Sequence, residues 1–391
     1  MTLRNACFFV LIAGWASSAA AEDSLPTAAA RASWTERLVE RLARKIEPEL
    51  VGMPERLPQY VDFFRSEIGN DDRLFAFDVE AVLKDGGRVE LNGHIEFPET
   101  RNALATYLGV LGFAVEDRLV KLPADQLGER IFGLVKVSHS LGYNRPHGRR
   151  SIETDCLLAE PLYLLRETDG QLLVHSGEGY LSYIRNADVL RVDGDAFARY
   201  TQGPSVRIVS DHELAGGLTV PAGARLKWIS TNGEMVSAEL PTGETVDLPA
   251  TACEVRAEPA AELDAIIGNA QQLLGTPYLW GGRTSDGVDC SGLVQIGYAT
   301  AGLHLPRDSY QQFYVGRLTA TRWHMAGLRR GDTLYFLGED GKIRHTGIYL
   351  GNDRYLHAVE PVVRINSLNP AHEDYAPRRH ASFAFAKRVL D

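Results

Sequence analysis

The spacing of hydrophobic positions changes period along the chain, and each change marks a different kind of element. In RASWTERLVERLARKIEPEL, Trp34, Leu38, Leu42 and Ile46 recur at helical intervals, which predicts a helix with one apolar face. FAFDVEAVLKDGGRVELNGHIEF then alternates on either side of Asp85-Gly86-Gly87 and predicts a hairpin. TRNALATYLGVLGF returns to helical spacing, and its leucine face would pack on that hairpin. Together these segments predict a small α+β module over residues 22–130, long enough for a core of its own but carrying no recognisable chemistry.

From residue 131 the runs are short and β-rich. GLVKVSHS, PLYLLRETDGQLLVHSGEGYLSYI and DVLRV form one set over 131–195, and SVRIVS, ARLKWISTNGEMVSAEL and ETVDL a second over 196–255. Thr168-Asp169-Gly170 and Thr231-Asn232-Gly233 are hairpin turns. Two consecutive small barrels fit this texture better than one long sheet, because each can close and hide its edges. Residues 256–391 open on a helix, AAELDAIIGNAQQLLG, stopped at Gly275-Thr276-Pro277. A loop, YLWGGRTSDGVD, leads to a second helix at SGLVQIGYATAG, and strands follow at DTLYFLG, HTGIYLG, YLHAV, RINSL and FAFAKRVL. Helices first and an antiparallel sheet afterwards make an α+β pattern, so the chain reads as a multidomain α+β protein.

The first residues, MTLRNACFFVLIAGWASSAAAEDS, have the form of a secretory signal peptide, residues 1–21, cut after Ala21. Cys7 precedes the apolar stretch instead of following a cleavage site, so no lipid anchor is expected, and a Gram-negative periplasm is preferred to full secretion. The formal charge is −10, and loss of Arg4 makes the mature chain more acidic still. That balance argues against nucleic acid as a partner and against a basic face holding the protein on an anionic wall or membrane. Cys156, Cys253 and Cys290 survive processing, and an odd number leaves at least one thiol unpaired in an oxidising compartment. Cys156 and Cys253 flank strand-like runs, where buried packing or a bridge between them would each account for them.

Cys290, in DGVDCSGLV, is different. If a helix starts at Ser291, the thiol sits at its N-terminus, where unpaired N–H groups favour a thiolate. His345 in RHTGIYLG and His357 in YLHA lie on two predicted strands joined by Gly351-Asn352-Asp353-Arg354, a turn that can bring both rings to one face. Cys290 as nucleophile, His345 as base and His357 as its orienter would form a triad. Plain packing of the thiol and local hydrogen bonds of the rings are the competing account. A zinc site from the same three residues is the weaker functional one, with no CxxC or HxxxH pair to support it, and no metal or cofactor is expected.

YLWGGRTSDGVDCSGLVQ, LPRDSYQQF, LRRGDTLYF, RHTGIYLG and YLHA, in this order, resemble the NlpC-type family of bacterial cell-wall cysteine peptidases over roughly the last third of the chain. The resemblance implies a papain-like catalytic domain, SH3-like barrels ahead of it, and peptidoglycan stem peptides or muropeptides as partners; a monomer is expected, though the sequence itself does not reveal the oligomeric state. It is similar most of all to the subgroup of γ-D-glutamyl-L-diamino acid endopeptidases (dipeptidyl-peptidase VI). These bind the free amine of an N-terminal L-Ala and release L-Ala-γ-D-Glu. The positions matching that subgroup's amine-binding pattern are Tyr278, Ser291, Asp308 and Ser309. A buried ammonium needs an anionic partner, which Asp308 would supply, although Asp308 also suits a helix cap. By the same resemblance the first barrel would close one end of the cleft, with Tyr143 in GYNRP as the candidate contact. An endopeptidase on glycan-linked stems, a non-catalytic peptidoglycan-binding protein and an acyltransferase are the alternatives.

Overall fold

The computed structural model describes residues 28–68, 71–255 and 262–390. The expected signal peptide lies outside the described residues. In the N-terminal part, helices Ala28–Ile46, Leu57–Ile68 and Pro98–Val110 cover a three-stranded sheet. Phe77–Leu83 and Arg88–Ile95 pair antiparallel across the expected turn, where Gly86 and Gly87 adopt positive φ. Ala114–Asp117 then adds in parallel to the second strand. Tyr60, Phe64, Leu91, Leu104 and Tyr107 fill the core between helices and sheet. The first helix presents Val39 and Ala43 to that core, with Leu42 and Ile46 of the expected stripe packed against it, whereas Leu38 faces solvent.

Seven antiparallel strands between Phe132 and Val192 make the next sheet. In it Asp169 and Gly170 both take positive φ, the geometry of a tight hairpin that follows the strand twist. Five strands between Ser205 and Glu254 make another sheet, with its own core around Val206, Leu226, Val236 and Leu248. Cys156 is buried, Cys253 is half-buried, and both are free thiols.

The last part places helices Leu263–Gln271 and Cys290–Ala299 against a six-stranded antiparallel sheet. Its order runs Arg317–Thr321, Phe383–Arg388, Thr333–Leu337, Ile343–Gly351, Arg354–Val359, Val362–Ser367. The Cys290 helix is buried along its whole length, and Leu293, Val294 and Ile296 meet Ile348 and Leu356 of the sheet. Gly351, Asn352 and Asp353 all have positive φ and close the hairpin that carries His345 and His357. A buried polar seam fixes this part against the seven-stranded sheet. Arg283 reaches the Asp155 carbonyl, Glu160 and Glu178 at 3.2–3.3 Å, and Gln295 donates to Glu178 at 2.7 Å. These ionic and hydrogen-bonded partners offset much of a burial that would be costly in isolation, although Glu160 Oε1, Arg283 Nε and Gln295 Oε1 are buried without a hydrogen-bond partner.

Candidate active site

Asp289 caps the helix that begins at Cys290: its Oδ1 accepts from the Gly292 N–H at 2.7 Å. Glycine is required at 292, because a Cβ there would run into the Gly282 carbonyl oxygen. Cys290 is therefore the first helical residue, and the N–H groups of Ser291 and Thr346 point at its sulfur. Thr346 follows His345 directly, so the strand that carries the imidazole also touches the thiol.

The rings form a chain whose polarity can be derived. Asn366 Nδ2 donates to the Asp374 carbonyl at 3.0 Å, which turns the amide oxygen toward His357 Nε2 at 2.9 Å. An amide oxygen only accepts, so His357 carries its proton on Nε2 and presents Nδ1 as a lone pair. His345 Nε2 lies 2.7 Å from that lone pair and donates to it. The remaining His345 nitrogen, Nδ1, is left unprotonated and free to take a proton from a thiol. Phe336 and His357, with ring centroids 5.4 and 5.0 Å from that of His345, hold the imidazole in place. These two mutually bonded rings do not aim at a common centre, and among the described residues no group of three or more His, Cys, Asp or Glu is disposed to hold a metal ion.

Burial sets the charge state. It pushes His345 well below the ordinary histidine value and His357 down to about 4, so both are neutral near pH 7. It also pushes the Cys290 thiol up to about 12, with the neighbouring Asp289 adding to the rise and the two N–H groups opposing it. The helix N-terminus thus does not make a resting thiolate here, contrary to the expectation from sequence. The resting pair is uncharged thiol and uncharged imidazole, and the proton must move as attack begins. Iodoacetamide labelling of Cys290, read by peptide mass spectrometry, is therefore expected to climb through pH 8, 9 and 10. The thiolate fraction rises about tenfold per unit below the pKa. A plateau between pH 6 and 8 would show a preformed ion pair instead.

Tyr278 bridges to Val288, two residues before the thiol, and its phenol is held in the neutral form by burial and by the proximity of Cys290. Ser291 is tied inward: its hydroxyl donates to Asp289 Oδ1 at 3.1 Å and accepts from Arg307 Nη1 at 2.9 Å. Arg307 in turn grips both oxygens of Asp289, at 3.0 and 2.7 Å. Asp308 precedes the short helix Ser309–Gln312, where its N–H donates to Gln311 Oε1 at 3.2 Å, and Ser309 is buried at the first helical position. The capping role does not exhaust Asp308. Its Oδ2 accepts from the Tyr180 hydroxyl and from Arg73 Nη1. Arg73 Nε also faces Glu153 at 3.3 Å. Tyr143, the contact expected from the first β-rich unit, lies under Arg150 at 3.8 Å and lines a cavity with Arg73 and Glu153; from the same unit Tyr180 bonds Asp308, and Glu153 faces Arg73. Asn366, Arg307, Arg73, Glu153 and Tyr180 escaped the sequence reading.

A cysteine at a helix start and a histidine chain on an antiparallel sheet are the parts that a cysteine-peptidase site requires. Residues 275–379 match the NlpC/P60 family, and the chain carries an NlpC/P60 domain, of a cysteine peptidase family, at its C-terminal end. Over 252 residues the chain is 27% identical to the gamma-D-glutamyl-L-lysine dipeptidyl-peptidase of Bacillus cereus, covering 58% of this chain and 74% of that one. It is 40% identical over 119 residues to a murein DD-endopeptidase MepS/murein LD-carboxypeptidase of Escherichia coli, 30% of this chain and 57% of that one. A crystal structure of a Bacillus cereus NlpC/P60 family protein superposes with a TM-score of 0.58 at 21% identity, over 66% of this chain and 100% of that one. That likeness shows the fold.

Proposed function

We propose that the protein is a cysteine peptidase of exported wall chemistry that cleaves the γ-D-glutamyl to diamino acid bond of peptidoglycan stem peptides with a free N-terminal L-Ala. The observation that carries this reading is an acidic cage beside the Cys290 helix. Asp308, Glu153 and Tyr180 converge there on a single cation. Asp308 is anchored next to Arg307, whose guanidinium bonds Ser291, the neighbour of Cys290. An ammonium seated in the cage would set the register of a short peptide along the cleft, with its second peptide link over the thiol. The wall of the cage comes from the seven-stranded sheet, which we read with the five-stranded one as SH3-like units that limit the cleft to short peptides.

The chemistry follows from the tautomers. Cys290 passes its proton to His345 Nδ1 as the sulfur bonds the γ-carboxamide carbon. The Cys290 N–H, with the Tyr278 hydroxyl, meets the oxyanion. His345 gives the proton to the departing amine, which breaks the C–N bond and leaves a thioester; it then takes a proton from water, whose oxygen displaces the sulfur. His357 holds His345 in the accepting tautomer throughout. The site of action would be the periplasm, and the acting species a monomer.

One observation favours a second reading. The cage already holds Arg73, and a cage filled permanently would suit an endopeptidase acting on stems whose amine is acylated to glycan. The two readings separate on a pair of substrates, L-Ala-γ-D-Glu-diaminopimelate with a free amine and the same stem acylated by N-acetylmuramic acid. Mass spectrometry should show the free peptide cut and the acylated one spared, with Cys290→Ala inactive on both. Equal cleavage of the two would establish the endopeptidase. Turnover by Cys290→Ala at the wild-type rate would remove the thiol from the mechanism.

A further inference from the structure

The cage is occupied by the protein itself. Arg73 belongs to the N-terminal part of the chain, in the turn that leads into the strand Phe77–Leu83, far in sequence from the three residues its guanidinium meets. Its guanidinium bonds Asp308, lies 3.1 Å from the Tyr180 hydroxyl and 3.3 Å from Glu153. These are the groups to which the proposed reaction assigns the substrate's ammonium. Resting on that reading, we infer that Arg73 is a specificity-determining residue: its guanidinium occupies the amine subsite, and only a substrate that brings its own cation displaces it.

The electrostatics require some cation in this place. Two carboxylates lie together with their side chains 18% and 14% exposed, and burial pushes Glu153 up to about 7 even with Arg73 beside it. Removing the cation without replacement would take away Asp308's ionic partner and drive Glu153 to take up a proton, since Arg73 is what opposes the rise caused by burial and by Asp308. Exchanging a guanidinium for an ammonium keeps the charge and the donors. Exchanging it for an acylated nitrogen, which is neutral, does not. The arrangement therefore discriminates against acylated stems by a cost, beyond any attraction it offers to free ones.

The turn is built to hold Arg73 and to release it. The Arg73 carbonyl accepts from the Leu181 N–H at 2.6 Å, and Asp71 is bonded by the Tyr310 hydroxyl and, at 3.4 Å, by Gln311 Nε2. Tyr310 and Gln311 sit on the same short helix that Asp308 caps, so the turn and the cage are aligned by one element. The Arg73 side chain itself is one-third exposed. Beside it is a cavity of about 550 Å³, lined by the acidic Asp72, Asp78 and Glu153 and also by the basic Arg65, Arg145 and His147. A guanidinium leaving Asp308 can swing into that space and meet Asp72 or Asp78. The apparent affinity for substrate is then the intrinsic affinity reduced by the fraction of molecules with Arg73 withdrawn.

Steady-state kinetics of the full mature protein on the free and acylated stems, with Arg73→Gln and Arg73→Lys, tests this. Arg73→Gln is expected to lower KM for the free peptide by about tenfold, the change falling on KM and not on kcat, as for a cage closed about nine-tenths of the time. It should also raise cleavage of the acylated stem above the wild-type level, while Arg73→Lys, still a cation, stays near wild type. Asp71→Asn, which loosens the turn and leaves Arg73 in place, should lower KM in the same direction by a smaller factor. It provides a second route if Arg73→Gln folds poorly. An unchanged or raised KM in both variants would overturn the inference. If wild type prefers the free peptide and neither variant shifts KM, only the role of Arg73 fails. If wild type cuts both stems equally, the free-amine reading fails with it.

Discussion

Replacing His357 by leucine is expected to cut kcat by about 10²- to 10⁴-fold, while His357→Gln loses far less. The two substitutions differ in one property. Glutamine can present an amide oxygen to His345 Nε2–H, whereas leucine fills comparable space and accepts nothing. With no acceptor 2.7 Å away, His345 is free to carry its proton on Nδ1, and in that tautomer Nδ1 cannot receive the one the proposed reaction assigns to it. The loss is large because Cys290, pushed up to about 12, depends wholly on proton transfer to become a nucleophile. Asn366→Ala should fall between them. It removes the acceptor at 2.9 Å that fixes His357's own proton, so His357 would spend part of its time donating toward His345. Kinetics on the free stem peptide checks the ordering. If His357→Leu keeps kcat within fivefold of wild type, or if Gln is no better than Leu, the rings are only packed together and the tautomer chain has no catalytic consequence.

What could be read from the sequence was whatever is settled within about a dozen residues. DGVDCSGLV announces a helix start beside Cys290 because an acidic turn runs directly into an apolar run, although the cap at Asp289 and the need for glycine at 292 are visible only in the structure. The hairpin from His345 to His357 was legible because the short turn from Gly351 to Arg354 joins two strand-like runs, so both rings could be expected on one face. Asn366 was visible only as a polar residue in RINSL, since its partner is on a neighbouring strand and its orientation depends on the Asp374 carbonyl. Arg307 sat in LPRDSYQQF beside two recognised residues, yet nothing local says that its side chain turns inward to Asp289. Arg73, Glu153 and Tyr180 lay beyond reach altogether: they meet Asp308 through docking of separate parts of the chain, and local periodicity carries no information on docking. The protonation of Cys290 failed for another reason. The helix terminus that favours a thiolate is readable, but the competing cost of desolvation depends on how completely the fold encloses the sulfur.

Arg307→Leu should destabilise the C-terminal domain by about 3–5 kcal/mol, the range for breaking a buried ion pair by removing one partner. The guanidinium is 1% exposed and its partner Asp289 8%, and no water would replace the fork that grips the carboxylate. Asp289 would keep the N–H groups of Gly281 and Gly292 and the Ser291 hydroxyl, which stops the cost from being higher. An exposed pair in the same domain sets the contrast: Arg344 and Asp340 are 56% and 42% exposed, and Arg344→Leu should cost about 0–1 kcal/mol. For a unit of this size, calorimetry should show the Arg307→Leu transition lowered by roughly 10 °C and that of Arg344→Leu by no more than about 3 °C. Arg307→Lys should lie nearer to leucine than to wild type, because a single ammonium cannot reproduce two parallel bonds. Activity should fall with stability, since Asp289 starts the helix that positions Cys290 and Ser291 loses its brace at 2.9 Å. A melting point for Arg307→Leu within 1 °C of wild type would mean that the pair is carried passively by the surrounding core, and that the start of the nucleophile helix is held by its cap alone.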